Sequence, residues 1–263
     1  SQSSWLDFFK LRASWGQNGN QNITSFQYLS TISFNALYFP GTDKSRGTTA
    51  AYPDILANPN VTWETSEQLN IGVDAYFLRS RFQMAFDYYK KTTKDWLVRQ
   101  PMPALFGAEA PFYNGGDVEN SGVELAVRWN DRVGDFTYGA QFNIAKNKNE
   151  VTRLGNATGF IQSEANRISQ GTDPVWRVET GYPVGYFYGY KTAGIFQNQQ
   201  QINSWQGGFL QANPQPGDVI FVDTNGDGEV TPDDKTMIGN PHPDFSIGFG
   251  LNFAYKGFDF ALA

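Results

Sequence analysis

The stretch VTWETSEQLNIGVDAYFLRSRFQMAFDYY, Val61–Tyr89, decides the fold. Its odd positions toward the C-terminal end are Leu69, Ile71, Val73, Ala75 and Phe77, whereas its even positions include Thr62, Glu64, Gln68, Asn70 and Asp74. Such alternation marks a strand whose two faces meet different surroundings. After a short turn at Arg79–Ser80 the pattern resumes, with Phe82, Met84, Phe86 and Tyr88 on the apolar side and Gln83, Asp87 and Lys91 opposite. This is a hairpin.

The arrangement recurs on both sides of that stretch. Val123, Leu125, Val127 and Trp129 lead to a turn near Asp131–Gly134 and then to Phe136, Tyr138, Ala140, Phe142 and Ile144. A third copy runs through Phe245, Ile247, Phe249, Leu251, Phe253 and Tyr255, turns at Lys256–Gly257, and returns through Phe258, Phe260 and Leu262. An earlier strand carries Phe9, Leu11, Ala13 and Trp15 on one face. The reading is all-β: about seven antiparallel strands, near the roughly 9–11 residues that a tilted membrane-spanning strand needs.

Composition fits a barrel wall. Aromatic residues make up 16 % of the 263 residues, yet mean hydropathy is −0.46, so many rings coexist with many polar groups. No stretch approaches the roughly 20 apolar residues of a spanning helix, and the only other backbone that a bilayer tolerates is a closed barrel. The chain has no Cys, which excludes disulfides and thiolate metal sites and suits an envelope protein. A net charge of −6 argues against a nucleic-acid partner, which needs a basic face. Ser1–Lys10 does not read as a signal peptide.

A soluble β-sandwich also alternates, and two details favour the membrane. Each short turn is flanked by apolar-face aromatics (Phe77 and Phe82, Trp129 and Phe136, Tyr255 and Phe258), as at an interfacial girdle. The short turns also alternate with long segments, Gly16–Asn60, Arg99–Gly116 and Asn147–Pro243, matching short periplasmic turns and long extracellular loops. Strand parity then divides the chain into barrel hairpins with loops over 1–146, a large extracellular loop region over 147–243, and a last hairpin over 244–263. The Tyr-rich piece Val184–Phe196 falls in the loop region and is expected not to span.

Asp223-Thr-Asn-Gly-Asp-Gly-Glu-Val-Thr-Pro-Asp-Asp234 matches a Ca²⁺ loop, with Asp223, Asn225 and Asp227 at positions 1, 3 and 5 and Gly228 at the sharp turn. Glu229 would add its carbonyl, Thr231 a side chain or bridging water, and Asp234 the closing carboxylate. The expectation is a structural Ca²⁺ that stiffens a loop, because the strand-like Gly217–Val222 ahead of it does not make a helix–loop–helix sensor. The alternative is a metal-free turn. No catalytic residue is assigned: the sole histidine, His242, lies between Pro241 and Pro243 at a strand entrance, so no triad or His-pair site assembles. Glu64, Asp74, Asp87 and Glu124 could form a glycosidase-like carboxylate pair, but a polar pore lining accounts for them. The glycines at Gly115–Gly116 and Gly207–Gly208 follow no phosphate-loop spacing. Phe112, Tyr113, Trp176, Tyr186, Tyr188 and Trp205 sit in outward segments and are the candidate substrate-binding rings, with loop packing the competing explanation.

Several runs resemble one family. Gly185-Tyr-Phe-Tyr-Gly-Tyr-Lys-Thr-Ala-Gly-Ile-Phe196, Pro216-Gly-Asp-Val-Ile-Phe-Val-Asp-Thr-Asn-Gly-Asp-Gly228 and Ile238-Gly-Asn-Pro-His-Pro-Asp-Phe245 resemble the C-terminal part of SusC/RagA-type TonB-linked outer-membrane transporters, as do Leu11-Arg-Ala-Ser-Trp-Gly-Gln-Asn-Gly-Asn20, Trp63-Glu-Thr-Ser-Glu-Gln-Leu-Asn-Ile-Gly72 and Asn120-Ser-Gly-Val-Glu-Leu125. The resemblance implies a plugged barrel of about 22 strands in the outer membrane of Bacteroidota. It also implies a SusD-like surface lipoprotein as lid, energy from the TonB complex, and a glycan or oligopeptide cargo. About seven strands cannot close such a barrel, and the chain shows neither a plug nor a terminal closing strand. It is therefore expected to be a portion of a longer polypeptide, held beside the rest of the barrel in the lipid bilayer. The runner-up function is a soluble secreted carbohydrate-binding module with a structural calcium site.

Overall fold

The computed structural model describes residues 5–23, 25–39, 47–99, 105 and 107–263. Parts of the long segments Gly16–Asn60 and Arg99–Gly116 lie outside these, as does the start of Ser1–Lys10. In chain order the described strands are β1 (Leu6–Asn20), β2 (Ile32–Tyr38), β3 (Thr48–Pro53), β4 (Glu64–Phe77), β5 (Phe82–Arg99), β6 (Phe112–Val133), β7 (Phe136–Leu154), β8 (Phe160–Gln162), β9 (Trp176–Glu179), β10 (Tyr186–Tyr190), β11 (Thr192–Ile195), β12 (Val219–Phe221), β13 (Lys235–Gly239), β14 (Ser246–Tyr255) and β15 (Phe258–Leu262). A short helix, α1 (Gln199–Ser204), precedes β12.

The chain divides into two units, one of 1–159 with 243–263 and one of 160–242. The first is built on a seven-stranded sheet in the order β1-β4-β5-β6-β7-β14-β15, antiparallel throughout. Its register turns the alternation within each strand into rows across strands. Leu11, Val73, Phe86, Leu125, Ile144 and Ile247 stand side by side, and the next row is Phe9, Ala75, Met84, Val127, Phe142 and Phe249. One face is thus apolar from edge to edge. Leu11, Ile247 and Phe249 remain more than half exposed, so this face is not the inside of a sandwich. The band from Phe136 to Ile144 on β7 measures about 27 Å along the strand at about 3.4 Å per residue. Tilted by about 40° it spans about 21 Å, close to the roughly 25 Å apolar band of a membrane barrel.

At the short-turn end, rings close the band: Phe77 stacks on Trp5 at 5.6 Å and packs against Phe82 at 5.9 Å, and Phe136 stacks on Phe253 at 6.1 Å. Leu78, Arg79 and Ser80 make the first turn with φ of 55°, 58° and 61°, three successive non-glycine residues in the left-handed region. Two carboxylates hold it, Asp7 accepting from the Ser80 N–H at 2.8 Å and Asp131 pairing with Arg81 at 3.2 Å.

On the other face, which a closed barrel turns to its lumen, Arg12 donates to Asp74 at 2.9 and 3.1 Å and to Asp87 at 2.9 Å. The guanidinium reaches both across Gly72, where a Cβ would lie 2.3 Å from Asp87 Oδ1.

The strands run further than alternation alone indicates. β5, β6 and β7 have 18, 22 and 19 residues, and β7 continues past Lys146 to Leu154. Beyond the bilayer the outward face has no reason to be apolar, so alternation stops while backbone pairing goes on. Bulges between Thr93 and Trp96 on β5 and beside Asp117–Val118 on β6 absorb the added twist.

The second unit has a four-stranded sheet in the order β13-β10-β9-β8 and a two-stranded one, β11-β12. The Tyr-rich strand β10 belongs here and not to the wall. Phe196, Ile202 and Ile220 form a small core with Trp205 packed against it.

Left-handed backbone costs an ordinary residue about 1–2 kcal/mol, and Asn tolerates it best after Gly. Arg79→Asn is therefore expected to stabilise the whole barrel by about 0.5–1 kcal/mol in urea unfolding; an unchanged or lowered midpoint would count against strain at this turn.

Candidate functional site

The long loops of the first unit are knitted together by side chains that imitate backbone. Asn114 accepts from the Thr62 N–H at 2.8 Å and donates to the carbonyls of Thr62 at 3.0 Å and Asp95 at 2.9 Å. One amide thereby joins the segment before β4 to the bulge of β5. Asn58 donates to the Phe112 carbonyl at 2.7 Å, Glu64 accepts from the Leu97 N–H at 3.2 Å, and Ile55 and Glu109 form a parallel bridge. Asp95, at φ 55°, sits where Arg153 gathers Asp117 at 2.7 Å and Asp95 at 2.9 Å. The hydrogen bond from Arg153 holds the Asp117 carboxyl below its ordinary range despite partial burial. A partly exposed hydrogen bond contributes about 0.5–1.5 kcal/mol net. Asn114→Ala is expected to loosen the loops by that order, read as faster cleavage between residues 47 and 63 in limited proteolysis of the folded barrel.

The six candidate substrate rings fall on both units. Phe112 lies under Arg99 at 5.1 Å. Tyr113 folds over Gly115 against Val98; its hydroxyl is buried without a partner among the described residues, and burial pushes the phenol pKa up. Trp176 pairs with Phe187 across β9 and β10. Tyr186 is a correction: at 2 % exposure it is core and offers no face to a ligand. Burial, then the 2.7 Å hydrogen bond to Glu179, raise its pKa. Tyr188 stacks on Arg177, whose guanidinium lies 3.6 Å from that ring centroid and 4.1 Å from the Phe160 ring. Trp205 donates to the Gly208 carbonyl at 3.0 Å and meets Phe196 edge-on. Tyr188 and Trp205 therefore help hold the second unit together, and all five rings other than Tyr186 are partly buried.

The residues expected to hold Ca²⁺ do share one loop, which closes through its own hydrogen bonds. Asp223 accepts from Gly226 N–H at 2.6 Å and Gly228 N–H at 2.7 Å, Asn225 from Asp227 at 2.9 Å, and Asp227 from Glu229 at 2.9 Å. Asp234, expected to close the cation shell, is fully buried. It accepts from the N–H groups of Thr224 at 2.7 Å, Thr231 at 2.8 Å and Asn225 at 3.3 Å. It thus acts as an internal tie, and with Thr231 it forms a capping box on the 3-10 turn Pro232–Asp234. Among the described residues no three His, Cys, Asp or Glu side chains gather as a metal site. These bonds, that from Thr231 first, lower the Asp234 pKa. A lowered carboxyl stabilises the fold fully above the ordinary Asp value and loses its effect as pH falls through the lower, folded-state value. Asp234→Ala is expected to open Val222–Lys235 to protease at neutral pH, while wild type keeps its protection until the medium is more acid than that ordinary value.

Of the four carboxylates considered for a catalytic pair, Asp74 and Asp87 share Arg12 and Glu64 is engaged by Leu97 at the outer end. Glu124 stands beside Asp87 in the register. Asn114 and Arg153 tie the loops of the first unit. Their partners are distant in sequence, so no local motif signals them.

A sheet with one continuous apolar face, tight turns at one end and long knitted loops at the other defines a wall segment of a membrane β-barrel. Residues 4–257 match the family described as TonB dependent receptor-like, beta-barrel. The chain is 33 % identical, over 99 % of its length and 25 % of the relative's, to TonB-dependent receptor P3 of Formosa agariphila. It is 32 % identical, over 98 % of its length and 25 % of the relative's, to TonB-dependent receptor SusC of Bacteroides thetaiotaomicron. A solved structure of the RagAB peptide transporter superposes with a TM-score of 0.74 at 24 % identity, covering 99 % of this chain and 26 % of that one. The chain belongs to the TonB-dependent receptor β-barrel family, whose members are bacterial outer-membrane proteins, and it spans about a quarter of the length of the curated relatives it matches.

Proposed function

We propose that the chain forms the C-terminal part of the barrel wall and outer loops of a TonB-dependent outer-membrane importer of SusC type, with its long loops on the cell surface. The importer takes up glycans or oligopeptides beneath a SusD-like lipoprotein lid, and the rest of the same polypeptide supplies the remaining wall, the plug and the contact with the TonB complex. Its role is transport and not catalysis. The observation that carries this reading is the polarity of the sheet: its apolar band lies between short turns at Leu78–Arg81, Gly134–Asp135 and Lys256–Gly257 and the knitted loops at the opposite end. The resemblance to SusC across nearly the whole chain supports it. RagAB, named a peptide transporter, shares the fold, and this is why both cargo classes stand.

Because this chain has no Cys, single cysteines report topology cleanly. In a cysteine-free form of the full-length protein in intact cells, a membrane-impermeant maleimide is expected to label Ala212→Cys and to spare Asp135→Cys. Uptake of a panel of neutral oligosaccharides and of equally long peptides should stop when TonB is deleted. The reverse labelling pattern, or uptake indifferent to TonB, would sink the reading.

A further inference from the structure

Past the loop end of the apolar band, the first unit carries a cavity built from rings and neutral polar groups. Gly19 pairs with Thr65 and alternates with Leu11 along β1, and a Cβ on it would lie 3.1 Å from Trp63 Cε3. The indole therefore lies over Gly19 on the same face as the apolar band, about 20 Å along the strand from Leu69 at about 3.4 Å per residue. Its backbone is held from both sides, since Asn114 ties Thr62 and Glu64 accepts from the Leu97 N–H. The Trp63 ring remains 66 % exposed.

The turn 25–28 lines the same cavity, of about 400 Å³, within the roughly 300–1,000 Å³ of small-molecule sites. The rings of Phe26 and Tyr28 stand 59° apart with centroids at 6.2 Å, and both are more than half exposed. Phe26 takes a φ of 64°, a left-handed conformation of the kind that concentrates at ligand sites. Gln27, between them, is only 6 % exposed. Its backbone carbonyl accepts from the Asn58 N–H at 2.8 Å and fixes the turn, whereas its side-chain Oε1 has no donor among the described residues. A buried acceptor left unpaired is costly and calls for a partner.

Ser25 and Thr62 add hydroxyls to the lining, and no charged side chain joins it among the described residues. A sugar ring has C–H groups on its faces and hydroxyls around its rim, so it needs flat aromatic surface beside neutral donors and acceptors. This cavity offers both. A charged ligand would find no counter-ion here, and an aliphatic one would leave the Gln27 carbonyl unmet.

We propose that this cavity is a carbohydrate-binding site on the outer rim of the wall, outside the lumen, where Trp63 and Tyr28 stack on a neutral sugar and Gln27 accepts from one of its hydroxyls. The inference rests on the orientation proposed above, in which the loop end of the sheet faces outward. A glycan held there stays at the cell surface without occupying the path through the barrel.

The test uses a cysteine-free form of the full-length transporter in nanodiscs. Leu29→Cys, at a half-exposed position beside the turn, carries an environment-sensitive fluorophore, so that the signal reports this cavity and not the lumen. The titrants are neutral oligosaccharides of glucose, galactose, mannose or xylose, and neutral peptides of matching length. At least one of the sugars is expected to give a saturable change in emission that the peptides do not. Trp63→Ala and Gln27→Leu should each weaken that binding by about tenfold, and Trp63→Tyr, which keeps a ring, should retain it. A response to none of the sugars overturns the proposal. So does an equal response to the peptides, which would make the cavity a general apolar surface, and so does unchanged affinity in Trp63→Ala or in Gln27→Leu. Labelling of Ala212→Cys reports the orientation separately, so a wrong topology and a wrong binding site give different results.

Discussion

Inside a bilayer no water is available to the backbone, so each N–H and C=O in the spanning segments must be paired within the protein. This requirement governs the first unit. It forces antiparallel partners in continuous register, and that register converts alternation along single strands into apolar rows running from Leu11 to Ile247 and from Phe9 to Phe249. The same register sets Gly72 beneath Arg12 so that one guanidinium can serve Asp74 and Asp87 on the lumen face. Among the described residues β1 and β15 each pair on one side only, in keeping with a chain that spans about a quarter of its relatives.

Beyond the apolar band the constraint changes. Water can satisfy the backbone there, and order comes from side chains that take backbone roles. Asn114 bridges the segment before β4 to the β5 bulge, and Arg153 collects Asp95 and Asp117. Asp234 does the same in the second unit, where a buried carboxylate serves the N–H groups of Thr224, Asn225 and Thr231. The loops thus have their ends fixed by short polar links.

Fold and family were legible in the chain for a physical reason. A strand between lipid and lumen must alternate strictly, so Leu69–Phe77, Phe82–Tyr88 and Phe245–Tyr255 announce themselves, and aromatics at the tight turns mark the interface. Where lipid ends, the signal ends too. The loop-side halves of β5, β6 and β7 carry no such signal because pairing there asks nothing of side-chain polarity. The rings were legible as aromatic but not as exposed: Tyr186 is core because Tyr182, Tyr188 and Glu179 close around it, and none of these contacts has a spacing that announces burial.

The sequence by itself determined the all-β class, the hairpins, the short and long connections and the family, since each is written in local period and in runs of neighbouring residues. Only the tertiary structure decided which residues meet across strands: that the Trp63 indole lies over Gly19, that Asn114 spans two loops, and that Asp234 turns inward to tie its own loop. Those outcomes depend on register and on contacts between segments far apart in the chain, and a one-residue slip in pairing would exchange every side chain between lipid and lumen.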